Sequence, residues 1–238
     1  MKKQPIINIL KIIIALFALV LIFLGYNHYN NLATSAIKQL YNTDLLNGIN
    51  VVVDAGHGGM DGGARAGDIQ EADLNLSIAK YISEGLKGMG AKVTLTRSDN
   101  SDLAGNTTGR RKKEDMLKRI NIINSEPIDL FISVHMNAYS NSGVSGSQIF
   151  YQKNNVESEK LGKLIDENIK KVTNSKLLIK KGDYYILNKS KKTGVLIECG
   201  FISNAKDKKK LVDDNYRKEL AEGINNGIVA YIKELRII

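Results

Sequence analysis

Apolar positions along the chain follow two patterns. Residues 51–53, 130–134 and 195–197 are short apolar runs, the second interrupted only by Ser133, rich in Val and Ile and closed by Gly or polar residues. Such runs read as buried strands. Strands buried on both faces belong mainly to parallel sheets flanked by helices. Further strands are expected at 91–96 and 144–151, with short pieces at 177–179 and 184–187. Elsewhere apolar residues recur every three or four positions. Leu74, Ile78, Tyr81, Ile82 and Leu86 predict a helix over 71–90, and Leu220, Ile224, Ile228 and Ile232 another over 216–235. Helices are also expected over 110–124 and 158–172. Asp73 is the expected cap of the first helix, and Glu71 stands at its N-terminus, where the helix dipole favours an acid. The alternation predicts an α/β fold, a three-layer sandwich with a mostly parallel central sheet.

The start of the chain breaks both patterns. After Met1, Lys2 and Lys3, residues 6–24 are apolar except for Asn8 and Lys11, and 12–24 has no polar side. This reads as a signal sequence or membrane anchor rather than a core helix. Gly25, Tyr26, Asn27, His28 and Tyr29 make a poor cleavage site, so an uncleaved transmembrane helix within residues 1–26 is expected. The basic residues precede it, which places the rest outside the cytoplasm. Residues 27–47, polar and Asn-rich, read as a stem, and 48–238 as the folded domain.

With 238 residues, the chain can hold one full core plus this tail. Its net charge of +9 raises nucleic acid as a partner, but no aromatics interleave with the Lys runs. The charge suits a solvated surface or an anionic wall polymer or membrane, and no nucleic acid partner is expected. The single cysteine, Cys199, excludes an intrachain disulfide and a sulfur-rich metal site.

The strand ends carry the chemistry. The first run leads through Asp54 to His57, the second to His135, the third to Glu198. Open parallel sheets bind ligands beyond the carboxyl ends of their strands. The loop 56–67 holds six Gly, yet GHGGMDGG lacks both the GxGxxG spacing and a Walker Lys-Ser/Thr pair, which argues against phosphate. Two His and a Glu are a common catalytic zinc set. His57, Glu71 and His135 fit that role, and Glu198 fits a general base. Each has a structural alternative: a hydrogen-bonded His after a strand, a helix-capping acid, a buried acid paired with Arg. Arg97 and Arg119 either face a substrate channel or pin the loop. Only the combination predicts a metal hydrolase.

Four separated strings, VVVDAGHGGMDGGA (51–64), EADLNL (71–76), SVHMNA (133–138) and LIECGFISN (196–204), together resemble the zinc-dependent N-acetylmuramoyl-L-alanine amidases of the Amidase_3 type. The resemblance covers 49–238. It implies a phosphorylase/hydrolase-like sandwich, one Zn2+ held by His57, Glu71 and His135, and Glu198 as the catalytic carboxylate. The implied reaction cleaves the amide between N-acetylmuramic acid and L-alanine in peptidoglycan. Asn137 is expected to help place the substrate. The length and the ECGFISN string resemble the CwlD-type sporulation amidases, which implies muramic-δ-lactam formation at the forespore envelope and an activating envelope lipoprotein. Two alternatives stand beside this: a zinc peptidase acting on stem peptides, and an anchored wall-binding protein without catalysis.

Overall fold

The computed structural model describes residues 13, 16–30, 32, 44–105 and 109–236. The chain divides into two compact units, Met1–Thr43 and Asp44–Ile238. In the first, residues 16–30 are helical and the side chains of 16–26 are exposed, Phe17 at 64% and Phe23 at 63% among them. Among the described residues, no helix is long and apolar enough to cross a membrane. The transmembrane helix expected within 1–26, and most of the stem after it, fall largely outside the described residues.

The second unit is an α/β domain. Its principal strands are β1 (Asn50–Ala55), β4 (Lys92–Leu95), β5 (Leu130–Asn137), β6 (Gln148–Tyr151), β7 (Lys180–Lys181) and β8 (Thr193–Phe201). They form one sheet in the order β4-β1-β5-β8-β6-β7. The first four are parallel neighbours, β6 runs against β8, and β7 runs with β6. A two-stranded ribbon, β2 (Arg65–Ala66) and β3 (Ile69–Gln70), leads into α1 (Glu71–Gly88). The other helices are α2 (Arg111–Ile123), α3 (Val156–Thr173), α4 (Tyr185–Lys189), α5 (Ala205–Leu211) and α6 (Asp214–Arg236).

Strand alternation sorts the side chains onto two unequal faces. Val51, Val53, Ala55, Leu130, Ile132, Val134, Val195, Ile197 and Cys199 join the large core with α1, α3 and α6. Leu46, in the stretch read as stem, is fully buried in this core, and its N–H donates to Met89 O. The opposite face carries a small cluster: Val52, Phe131 and Leu196 against Ile123 of α2 and Ile186 and Leu187 of α4. Further along the same face come Asp54, Ser133, His135 and Glu198. The smaller cover leaves this end of the sheet open to polar chemistry.

Several local expectations change. Residues 184–187 are not a strand; α4 begins there, because one helical turn sets Ile186 and Leu187 side by side into the small cluster. The strand expected over 144–151 shortens to Gln148–Tyr151, and that at 177–179 moves to Lys180–Lys181. Asp73 lies in the first turn of α1, where Gln70 is the cap residue and gives no side-chain bond. Helix α5 was not expected, although Asn204 announces it: its side chain accepts from the N–H groups of Lys206 and Asp207.

A buried ion pair joins the end of β1 to α2. Asp54 and Arg119 are each 1% exposed, with Arg119 Nη1 2.7 Å from Asp54 Oδ1. Thr96 and Ser133 hydroxyls donate to the same carboxylate, at 2.8 and 2.7 Å. Arg119 also donates to Asp115, to Ala55 O and to His57 O. Arg97 donates to Ala55 O, Gly56 O and Ala72 O. Both arginines therefore pin the loop after β1.

Burial pushes the Asp54 carboxyl up, but the Arg119 charge and the Ser133 bond outweigh it and hold the group below its ordinary value. A carboxyl depressed on folding adds stability above its unfolded pKa of about 4, and that stability is lost as pH falls through the folded value. Acid should therefore destabilise the wild type more steeply than Asp54→Asn, as read by urea midpoints at successive pH. At pH 7, Arg119→Met, which strands the Asp54 charge, should lower unfolding free energy by about 3–5 kcal/mol in urea titrations.

Candidate active site

The loop after β1, the first turn of α1 and the end of strand β5 bring His57, Glu71 and His135 together. One ligand atom from each lies within 4.8 Å of the others. Glu71 Oε1 is 3.2 Å from His57 Nε2 and 3.0 Å from His135 Nδ1. Donors about 2.0–2.1 Å from a tetrahedral metal stand roughly 3.3 Å apart, so a His2Glu set at these spacings fits a divalent ion. The two imidazole rings meet edge to face, with centroids 5.0 Å apart.

The backbone shapes each donor. His57 adopts a left-handed conformation, φ 62°, with its carbonyl held by Arg119 Nη2 at 2.6 Å. Asp61 Oδ2 lies 3.1 Å from His57 Nδ1, which leaves Nε2 directed at Glu71. A carboxylate on the far ring nitrogen is the usual device for orienting a metal-binding His. Gly56 lets the His135 ring lie against the main chain: a Cβ there would come within 2.3 Å of the ring. Glu71 is the first residue of α1 and is 4% exposed. Its Oε2 accepts from Ala64 N–H at 2.8 Å, and its Oε1 from Met136 N–H at 3.1 Å and Asn75 Nδ2 at 3.3 Å. Burial would raise the Glu71 carboxyl, but the hydrogen bonds and charges of His135 and His57 hold it far below the usual range. His57 shifts upward: Glu71 and Asp61 outweigh the effect of its burial. A buried anion flanked by two imidazoles is a cation site in its electrostatics.

Glu198 stands beside His135, in register across β5 and β8. It is 6% exposed. The Tyr184 hydroxyl donates to its Oε1 at 3.3 Å, while its buried Oε2 has no partner among the described residues. Burial, with the Glu71 charge adding to it, pushes the Glu198 carboxyl up against the opposing pull of His135 and Tyr184. An upward shift of this kind suits a carboxyl that takes up a proton. A cavity of about 230 Å³ opens beside His57, His135 and Tyr184, lined also by Asp61 and Lys112.

Four of the five residues singled out in the sequence thus gather. Asn137 sits past a register shift between His135 and itself, and its carbonyl accepts from Ile202 N–H. Residues 51–230 match the family described as N-acetylmuramoyl-L-alanine amidase. The chain belongs to the Amidase_3 family. This enzyme is 36% identical, over 79% of its length and 82% of the relative's, to a germination-specific N-acetylmuramoyl-L-alanine amidase of Bacillus subtilis (strain 168). It is also similar to the CwlD amidase of Clostridioides difficile, solved in complex with the GerS lipoprotein. There the TM-score is 0.76 and the identity 36%, over 78% of this chain and 99% of that one. An N-acetylmuramoyl-L-alanine amidase from Clostridium difficile 630 superposes with a TM-score of 0.71 at 27% identity, over 79% and 98% of the two chains.

Three residues of the amidase site escaped the sequence reading. Asn75 carried a signal, since it lies four positions after Glu71 on the same helix, whereas Asp61, in a Gly-rich loop, carried none. Tyr184 carried none.

Gly56→Ala should leave the fold intact and displace the His135 ring. The expected loss of divalent-ion affinity is about 10- to 100-fold, read by chelator competition, with little change in melting temperature.

Proposed function

We propose that this amidase hydrolyses the amide between the lactyl group of N-acetylmuramic acid and the L-alanine of peptidoglycan stems, using one zinc ion. The observation that carries the reading is the His57–Glu71–His135 cluster with Glu198 beside it, in a chain 36% identical to a germination-specific amidase. His57, Glu71 and His135 would hold the metal. When bound, zinc supplies Lewis acidity that polarises the scissile carbonyl and makes a water more acidic.

The remaining work falls to the chain's own groups. Glu198 takes the proton of the attacking water and passes it to the departing nitrogen, without which an amine is a poor leaving group. Asp61 keeps the His57 ring oriented. Asn75 and the Ala64 and Met136 amides hold the Glu71 carboxylate still. Asn137 is kept as a residue that helps place the substrate at the rim.

The finer setting follows the same relatives. We infer an extracytoplasmic role in spore cortex muramic-δ-lactam formation, with attachment to a membrane through the apolar run 12–24. An envelope lipoprotein is the proposed partner, because the similar CwlD amidase was solved in complex with one.

The test uses the full chain with purified peptidoglycan, with and without zinc, and mass spectrometry of the soluble products. Stem peptides beginning at L-alanine are expected, and only with zinc. Cleavage within the stem would instead identify a peptidase. Glu198→Gln should lower kcat by about 10²–10⁴-fold while zinc content stays at that of the wild type.

A further inference from the structure

Glu198 does not stand alone at the end of β8. Among the described residues the one hydrogen bond of its side chain comes from the Tyr184 hydroxyl, to Oε1. Its other oxygen is buried and unpaired. A buried acceptor without a partner is costly, and in a catalytic carboxylate it is an oxygen left available to a water or a substrate group. The two oxygens of this carboxylate are therefore unequal: one faces the Tyr184 hydroxyl and the other has no partner among the described residues.

Tyr184 is itself firmly held. Its ring meets Phe150 edge to face, with centroids 5.0 Å apart. Gly182, two residues earlier, lets the turn close onto the sheet. Its N–H donates to Tyr151 O at 2.8 Å, and a Cβ there would come within 2.4 Å of Leu187. On the other side, Gln152 Nε2 donates to the carbonyls of Leu187 and Ser190, which ties down α4. Burial and the Glu198 charge push the phenol up, so it stays a neutral donor at any working pH. Tyr184 also lines the cavity beside His57 and His135.

We propose that Tyr184 is a positioning residue for the amidase reaction: its hydroxyl fixes the Glu198 carboxylate through Oε1 and reserves Oε2 for the travelling proton. This rests on Glu198 being the general base. A carboxylate free to rotate would present a usable oxygen for only part of the time, and misorientation of a catalytic group lowers the rate of the chemical step rather than binding.

The experiment compares zinc-loaded full chain as wild type, Tyr184→Phe, Glu198→Gln and the double variant, on soluble muramoyl-peptide fragments of peptidoglycan. Phe keeps the ring against Phe150 and removes only the hydroxyl. Tyr184→Phe should lower kcat by about 10- to 100-fold. KM should stay within about twofold, with zinc content and melting temperature at wild-type values. Added to Glu198→Gln, it should cost nothing more, because the group it acts through is already disabled. Wild-type kcat in Tyr184→Phe would overturn the proposal while leaving the base assignment intact. So would a loss confined to KM, a loss that tracks missing zinc, or equal losses in both backgrounds. A fully active Glu198→Gln would instead overturn the assignment of the base, and the role of Tyr184 with it.

Discussion

The active end of this domain depends on two buried guanidinium groups taking up main-chain carbonyls. Arg119 and Arg97 between them bind the oxygens of Ala55, Gly56 and His57. A loop rich in glycine loses much entropy when it is fixed. Five-donor side chains suit the task, since one group can satisfy several carbonyls that no strand pairs. Arg119 needs a carboxylate to be buried at all, and Asp54 supplies it from the end of β1. The charge pair is therefore less a source of net stability than the means of holding His57 in a left-handed conformation.

The unequal faces of the sheet explain where the site lies. Three long helices cover one face, so every residue pointing that way from β1, β5 and β8 is apolar or small. On the other face a two-helix cover ends at Phe131 and Leu196. Residues two positions further along the strands, Ser133 and Glu198, already belong to the polar end. A register step of one residue would exchange Glu198 for Ile197 and destroy both core and site together.

Much of this was legible because burial on both faces leaves an unmistakable mark. The three apolar runs named β1, β5 and β8, and the residues just beyond them named His57, His135 and Glu198. Glu71 was legible from the helical spacing that follows it. The short elements were not. Tyr184, Tyr185 and Ile186 are residues with good strand propensity, yet Tyr184 is the extended cap of a helical turn that sets Ile186 and Leu187 into the cluster around Phe131. The pinning role of Arg97 and Arg119 was one of two open readings, since nothing in a sequence says which carbonyls an arginine will meet.

Cys199 follows Glu198 directly yet points to the other face, into the large core, where it is 1% exposed. Burial pushes its thiol well above the usual value, so it stays protonated and out of reach of electrophiles. It is also the only cysteine of the chain. The folded protein thus presents a surface silent to maleimides and iodoacetamides. A fluorophore or spin label attached at any engineered surface cysteine would report from that position alone.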